Sequence, residues 1–206
     1  MSGLNLGGGG GGDFTAHVRY MASTSSWKMS MEGADNPPVE FAFDQPAIFD
    51  LEQIKTGWGV FEMGVAPEWV MDASLSDPAP KPTDGREWKR GFQFNIFSKN
   101  MFGEEPTREF ATTGVGACMG VQALYSEFEK ELPANHGKVP VVKFDGSVSS
   151  TAGRGSTTIP TLVIVKWVDR PADLPIETDA PAPAAAVQQQ AAAPVENVNI
   201  DGDEEF

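Results

Sequence analysis

The stretch with the most chemical content is Trp88–Lys99, WKRGFQFNIFSK. Read as a strand, its side chains point alternately to opposite faces. One face carries Trp88, Arg90, Phe92, Phe94, Ile96 and Ser98 and reads as a core face. The other carries Lys89, Gly91, Gln93, Asn95, Phe97 and Lys99. Ammonium groups at both ends, amides between them and one ring would let a strand follow a polyanion. The charges suit phosphates, the amides suit base edges and the ring suits stacking. The plainer alternative is a solvated strand carrying an incidental Phe97.

The same signature recurs in Phe49–Phe61, where one register holds Gln53, Lys55, Gly57, Gly59 and Phe61 and the other holds Ile54, Trp58 and Val60. Glycines between a cation and a ring let a ligand approach the backbone. Lys143 lies opposite the face of Val142 and Phe144. Arg108 and Arg154 read as loop or edge cations able to clamp phosphates, and Trp58 and Trp88 as further candidate rings. Trp167 reads as core, although the inward register of Ile159–Asp169 is left open by its pattern.

Catalytic chemistry finds no such support. The glycines of Gly114–Gly120 follow G-x-G-x-x-x-G, one position off a dinucleotide fingerprint, and no second βαβ unit follows. A turn with a close helix contact explains them as well. His17, His136 and Cys118 cannot alone make a structural zinc site. No catalytic residues, metal or cofactor are expected.

The elements that must hold these residues occupy the middle of the chain. Gly7–Gly12 is a six-glycine run, so 1–13 reads as a flexible leader and order is expected from Phe14. From Pro171 on, Pro, Ala and Gln dominate, and 171–206 reads as a disordered tail. The domain between is 14–170. The net charge of −14 argues against a polyanionic partner until its distribution is seen. The tail holds eight acids and no Lys or Arg, whereas all 15 basic residues lie in 1–170 against 21 acids. One cysteine excludes an intramolecular disulfide, no apolar run is long enough to cross a membrane, and the N-terminus lacks a signal peptide's basic and apolar regions. A cytoplasmic setting is expected.

Alternation predicts strands over Phe14–Met21, Trp27–Met31, Val39–Phe43, Ile48–Glu62, Trp88–Lys99, Thr107–Thr113, Val139–Val148 and Ile159–Asp169. The proline-rich Ala66–Gly85 and the segment Ser149–Thr158 read as loops. Val115–Leu132 reads as a helix, with Met119, Ala123, Leu124, Phe128 and Leu132 on its apolar stripe. The order suits a mainly β fold: a five-stranded OB-type Greek-key barrel with one helix between strands three and four, extra N-terminal strands and a disordered C-terminal tail. An SH3-like or other small barrel gives a similar pattern.

The stretches FDLEQIKTGWGVFE (49–62), WKRGFQFNIFSK (88–99), REFATTG (108–114) and IPTLVIVKWVDRP (159–171), followed by a Pro/Ala/Gln linker and the ending DGDEEF, resemble OB-fold single-stranded DNA-binding proteins of tailed bacteriophages. The ending lacks the penultimate proline of the bacterial form. The resemblance implies binding of single-stranded DNA with little sequence preference in replication, recombination or repair, in the host cytoplasm. It also implies that the tail residues Asp201, Asp203, Glu204, Glu205 and Phe206 recruit replication or recombination proteins. The tail's acids would compete with DNA for the basic face, and Phe206 would then anchor in a partner's pocket. Tight coverage would call for cooperative binding or a homo-oligomer. A competing reading is a phage structural protein, a decoration or tail component. An RNA-binding barrel is another, separable by a DNA-versus-RNA competition.

Overall fold

The computed structural model describes residues 16–30, 37–61, 67–152, 155–174 and 176. Backbone contacts divide the chain into Met1–Ile176 and Glu177–Phe206, and every described residue belongs to the first unit. The strands are β1 (His17–Met21), β2 (Ser26–Met29), β3 (Val39–Phe41), β4 (Ala47–Phe49), β5 (Lys55–Val60), β6 (Glu68–Met71), β7 (Lys89–Phe97), β8 (Thr107–Thr112), β9 (Lys138–Ala152) and β10 (Gly155–Asp169). A single helical turn, α1 (Lys99–Phe102), follows β7, and the long helix α2 (Val115–Glu131) links β8 to β9.

The architecture is mainly β. One sheet curls into a half-barrel in the order β10-β9-β4-β7-β8-β1-β2-β3, with β5 paired to β7 and β6 to β5. Every pairing is antiparallel except that of β1 with β8. The alternation in the sequence becomes the sidedness of this sheet. Val18 and Tyr20 of β1, Trp27 of β2, Phe49 of β4, Phe92, Phe94 and Ile96 of β7 and Phe110 of β8 all face one aromatic core. The rings there meet edge-on or tilted, for example Trp27 with Phe110 at 5.2 Å between centroids and Phe92 with Phe110 at 5.1 Å. Such contacts add to the stabilisation from ring burial itself.

α2 closes the open side of this core through Ala117, Val121, Leu124 and Phe128. Its glycines set the approach distance. A Cβ on Gly116 would strike the Thr158 carbonyl oxygen, and one on Gly120 would come within 2.6 Å of the Pro160 oxygen. The glycine pattern at the start of α2 therefore serves close helix-to-strand packing. Met119 and Ala123 are exposed, so the apolar stripe is narrower than the sequence predicts. In β10, Leu162, Ile164 and Trp167 pack toward the core, with a register shift between Ile164 and Lys166 that lets Trp167 turn inward. Trp167 stacks on Phe128 at 5.6 Å.

Four expectations are corrected. The strand expected over Ile48–Glu62 is broken into β4 and β5 by a turn of 3-10 helix at Leu51–Gln53. The segment Ala66–Gly85 contains β6, because residues 68–71 find the free edge of β5. Ser149–Thr158 is mostly ladder and not a loose loop, as β9 and β10 stay paired from Ser149↔Thr158 to Ala152↔Gly155. Pro171–Leu174 is folded back as part of the body: Leu174 is only 2% exposed, and its N–H donates to the Pro171 carbonyl at 3.0 Å. The leader 1–13, Arg154 and the tail from 177 on, with Asp201, Asp203, Glu204, Glu205 and Phe206, lie outside the described residues.

Candidate nucleic-acid interface

Cross-strand partners in a ladder share a face. The pairs Lys55↔Gln93, Gly57↔Gly91 and Gly59↔Lys89 therefore put Lys55, Gly57, Gly59, Lys89, Gly91 and Gln93 on the outward side of β5 and β7. β6 adds Trp69 opposite Gly59 and Met71 opposite Gly57. The Trp69 indole reaches over this glycine floor with its Cζ3–Cη2 edge. A Cβ on Gly59 would come within 2.9 Å of its Cζ3, and one on Gly91 within 2.9 Å of its Cη2. Phe61 stands edge-on to Trp69 with centroids 5.6 Å apart and is 38% exposed. Two rings outside the core, on a surface that also carries Lys55 and Lys89, form the open end of this face.

Trp69 was not among the residues the sequence pointed to, since it sits in a proline-rich stretch. A signal for it existed. Gly57 and Gly59 alternate in one register, and glycines in a strand are commonly roofed by an aromatic side chain from the neighbouring strand.

The other end of β7 is closed. Phe97 is 7% exposed and does not present its ring to solvent. Its row on the outward side continues through Ile48 to the buried Val141. On its other flank it pairs with Thr107, whose hydroxyl donates to the Asp173 carbonyl at 3.4 Å. Lys99 meets the Asp173 carboxylate at 2.6 Å. The segment 171–174 thus crosses the place where Phe97 was expected to stack on a base. In the middle, Gln93 donates its amide to the Glu109 carboxylate, and Asn95 pairs across the ladder with Glu109. A carboxylate therefore already engages part of the expected amide row.

The remaining candidates divide between inside and rim. Trp88 is buried, with its Nε1 donating to Asp84 at 2.7 Å, so it offers no free stacking face. Trp58 lies on the opposite side of β5 from the glycine floor. It donates to the Ala79 carbonyl at 2.9 Å and is flanked by Lys81 at 5.5 Å and Arg90 at 5.4 Å. Arg108 lies within β8 rather than in a loop, donates to the Ser30 carbonyl at 3.1 Å and sits over the Phe102 ring at 5.5 Å. Lys143 is exposed and paired with Asp145 at 2.9 Å, beyond the closed end. Lys89 pairs with Glu87 at 3.1 Å. Exposed pairs of this kind contribute little to stability and can exchange their acid for a phosphate.

The arm that carries Trp69 is fastened by charge. Arg90 grips Asp72 with two hydrogen bonds, Nη1 to Oδ1 at 2.7 Å and Nη2 to Oδ2 at 2.5 Å. Thr56 also donates to Asp72, and so does the backbone N–H of Ala79 at 2.8 Å. The hydrogen bonds from Arg90 lead in holding the Asp72 carboxyl well below the usual carboxylate range, and Asp72 in turn raises Arg90. Farther along, Arg86 bridges Asp84 at 2.7 Å and Glu68 at 2.8 Å and covers the Trp88 ring at 4.8 Å. Arg86 and Arg90 therefore hold the arm together. Among the described residues no cluster of three or more His, Cys, Asp or Glu could hold a metal ion, and no helix is long and apolar enough to cross a membrane.

A groove with a volume near 510 Å³ lies between α2 and the arm, lined among others by Ile54, Leu75, Phe92, Cys118, Val121 and Tyr125. Burial pushes the Cys118 thiol up to about 11, which makes it a poor nucleophile. Comparison with protein-family profiles, curated proteins and solved structures finds no match for this chain.

Proposed function

We propose that the chain binds single-stranded DNA on the outward face of β5, β6 and β7, with Trp69 and Phe61 as stacking rings and Lys55 and Lys89 beside the backbone. The observation that carries this reading is the placement of Trp69. A large ring reaching over two glycines outside the core, next to a second ring and between lysines, has the composition of a stacking platform. The stacking role expected of Phe97 falls to Trp69, beside Phe61, which was already a candidate.

The strand pairings support an OB-type assignment. β4 and β5 would together form the first barrel strand, with β7, β8, β9 and β10 as the second to fifth and α2 between the third and fourth. Nucleic acids lie on the second and third strands of such barrels and against the loops joining strands one to two and four to five. β6 with Trp69 occupies the first of these loops. Instead of meeting β10, β8 takes β1 as a parallel neighbour. The Tyr20 hydroxyl is hydrogen-bonded to Ser147 and Thr158 at 2.7 Å each, which ties β1 to the β9–β10 hairpin.

The acidic tail would compete with DNA for this face and, once displaced, recruit replication, recombination or repair proteins through Phe206. Tryptophan fluorescence tests the reading, titrated with oligo-dT and with duplex at two salt concentrations, on the full chain and on a chain ending after Ile176. That end point keeps Leu174 in place. Selective quenching by the single strand, weakened by salt and tightened by truncation, is expected. Equal affinity for duplex would overturn the proposal. No quenching by either would favour the structural phage protein.

A further inference from the structure

The outward face does not stop at β8. In β1, Val18 and Tyr20 point into the core, so Arg19 points outward. Its partner across the β1–β2 ladder is Lys28. Two cations directly opposite each other repel, and such a pair is destabilising by itself. In a chain of net charge −14, a neutralising acid would be easy to supply. Lys89, Lys99, Lys143, Arg86, Arg90 and Arg170 all have one. Arg19 and Lys28 are in no ion pair among the described residues, a state they share with Lys81, Arg108, Lys138 and Lys166, but only these two stand directly opposite each other in a ladder. Glu40 pairs with Lys28 in the ladder, but its carboxylate accepts a hydrogen bond from the Ser26 hydroxyl at 3.2 Å.

The register places this pair in line with the candidate interface. The parallel pairing His17↔Glu109 and Val18↔Phe110, carried one step on, brings Arg19 level with Ala111. Ala111 pairs with Gln93, and Gln93 with Lys55. Lys28, Arg19, Ala111, Gln93 and Lys55 thus form one row across five adjacent strands, roughly 19 Å long at the usual strand spacing. From Lys28 to Lys55 the row has cations at both ends and a small residue and an amide between, and beyond Lys28 it closes on Glu40 of β3. It runs beside the Gly57–Gly91 row, over which Trp69 reaches.

We infer that Arg19 and Lys28 form a second phosphate subsite, at the far end of a single-stranded DNA path that starts at Trp69 and Phe61 and crosses the sheet at right angles to its strands. This rests on the proposed function and adds to it the direction of the path and the part played by the N-terminal hairpin β1–β2.

The test compares the full chain with the double variant Arg19→Gln/Lys28→Gln. The probes are oligo-dT of about four and about twelve residues, within the range of sites on single barrels. Losing two phosphate contacts should lower the salt slope for the longer oligonucleotide by roughly 1.4. The shorter one, which cannot span from Trp69 to the hairpin, should bind as before. The exchange Arg19→Lys/Lys28→Arg keeps both charges and should keep the slope, which separates a charge effect from a disturbed hairpin. An unchanged slope in the glutamine variant, or equal losses at both lengths, would overturn the subsite while leaving the open end intact. Absence of any single-strand binding by the unaltered chain would remove the proposed function and the subsite together.

Discussion

The two ends of β7 begin from the same pattern and finish differently. On its outward side, Lys89 and Gly91 at the start and Phe97 with the following Lys99 at the finish read as one continuous trough. At the start, the chain adds β6 alongside β5, reaches Trp69 over a glycine floor and leaves Phe61 partly bare. At the finish, the chain returns after β10, buries Leu174 and pairs Asp173 with Lys99. Alternation along a strand specifies which side of the sheet a residue takes. Whether that side is covered depends on a segment far away in sequence.

The largest effect that separates the two ends comes from exchanging their rings. Phe97→Ala should cost about 3–5 kcal/mol of folding stability, as expected for a buried ring, read from urea unfolding. The affinity of the folded protein for oligo-dT should stay close to that of the parent. Trp69→Ala should do the reverse, weakening binding by about 1–3 kcal/mol, the range for loss of one stacked base, with the smaller change in stability. If Phe97→Ala weakens binding as much as Trp69→Ala at matched stability, the trough is continuous and the two ends do not differ.

A subtler change tests whether the glycine floor matters. Gly59→Ala puts a Cβ within 2.9 Å of the Trp69 ring and 3.0 Å of the Thr113 methyl, so the indole must lift or tilt. Quenching by oligo-dT should weaken, and near-ultraviolet dichroism of the tryptophans should change, while urea unfolding shifts by about 1 kcal/mol. An alanine with unaltered dichroism and affinity would mean that Trp69 does not depend on the floor beneath it.

The strands and the core were legible because both follow from side-chain alternation. Phe92, Phe94 and Ile96 could be assigned inward from Trp88–Lys99 alone, and the helix from its run between Gly114 and Pro133. Trp69 was hidden by composition. Prolines around it suggest a loop, yet four residues are enough for a strand when an edge with glycines is waiting. The boundary at Pro171 was misplaced for a related reason. Pro171–Leu174 is poor in the residues that build cores, yet its one leucine is buried. The bulge that turns Trp167 inward could not be read either, because inserting a residue shifts the register without marking the residue types. Arg90 was placed on the core side correctly, but its bonds to Asp72 depend on an arm whose path the sequence does not give.

The smallest effect concerns the fastening of the arm that carries Trp69. Asp72→Asn removes the charge that Arg90 grips and leaves Arg90 against Trp58. With Arg90 partly exposed, the loss at neutral pH should be about 1 kcal/mol or less. Its pH dependence is the sharper readout. The folded-state pKa of Asp72 is depressed, chiefly by the hydrogen bonds from Arg90. Its contribution is therefore fully present above the ordinary aspartate value of about 3.9 and is lost only as pH falls through the lower, folded value. The stability gap between the parent and Asp72→Asn should thus hold from neutral pH to about pH 5 and shrink progressively below about pH 4, where the unfolded chain's aspartate takes up its proton and the folded one does not. Urea unfolding at neutral pH and at about pH 3, below the ordinary aspartate value, measures it. A gap that does not change on acidification would mean that Asp72 titrates like a free carboxylate, because a group with the same pKa folded and unfolded gives no pH dependence. The clamp would then not be holding the arm, and the open end of β7 would owe its shape to the glycine floor alone.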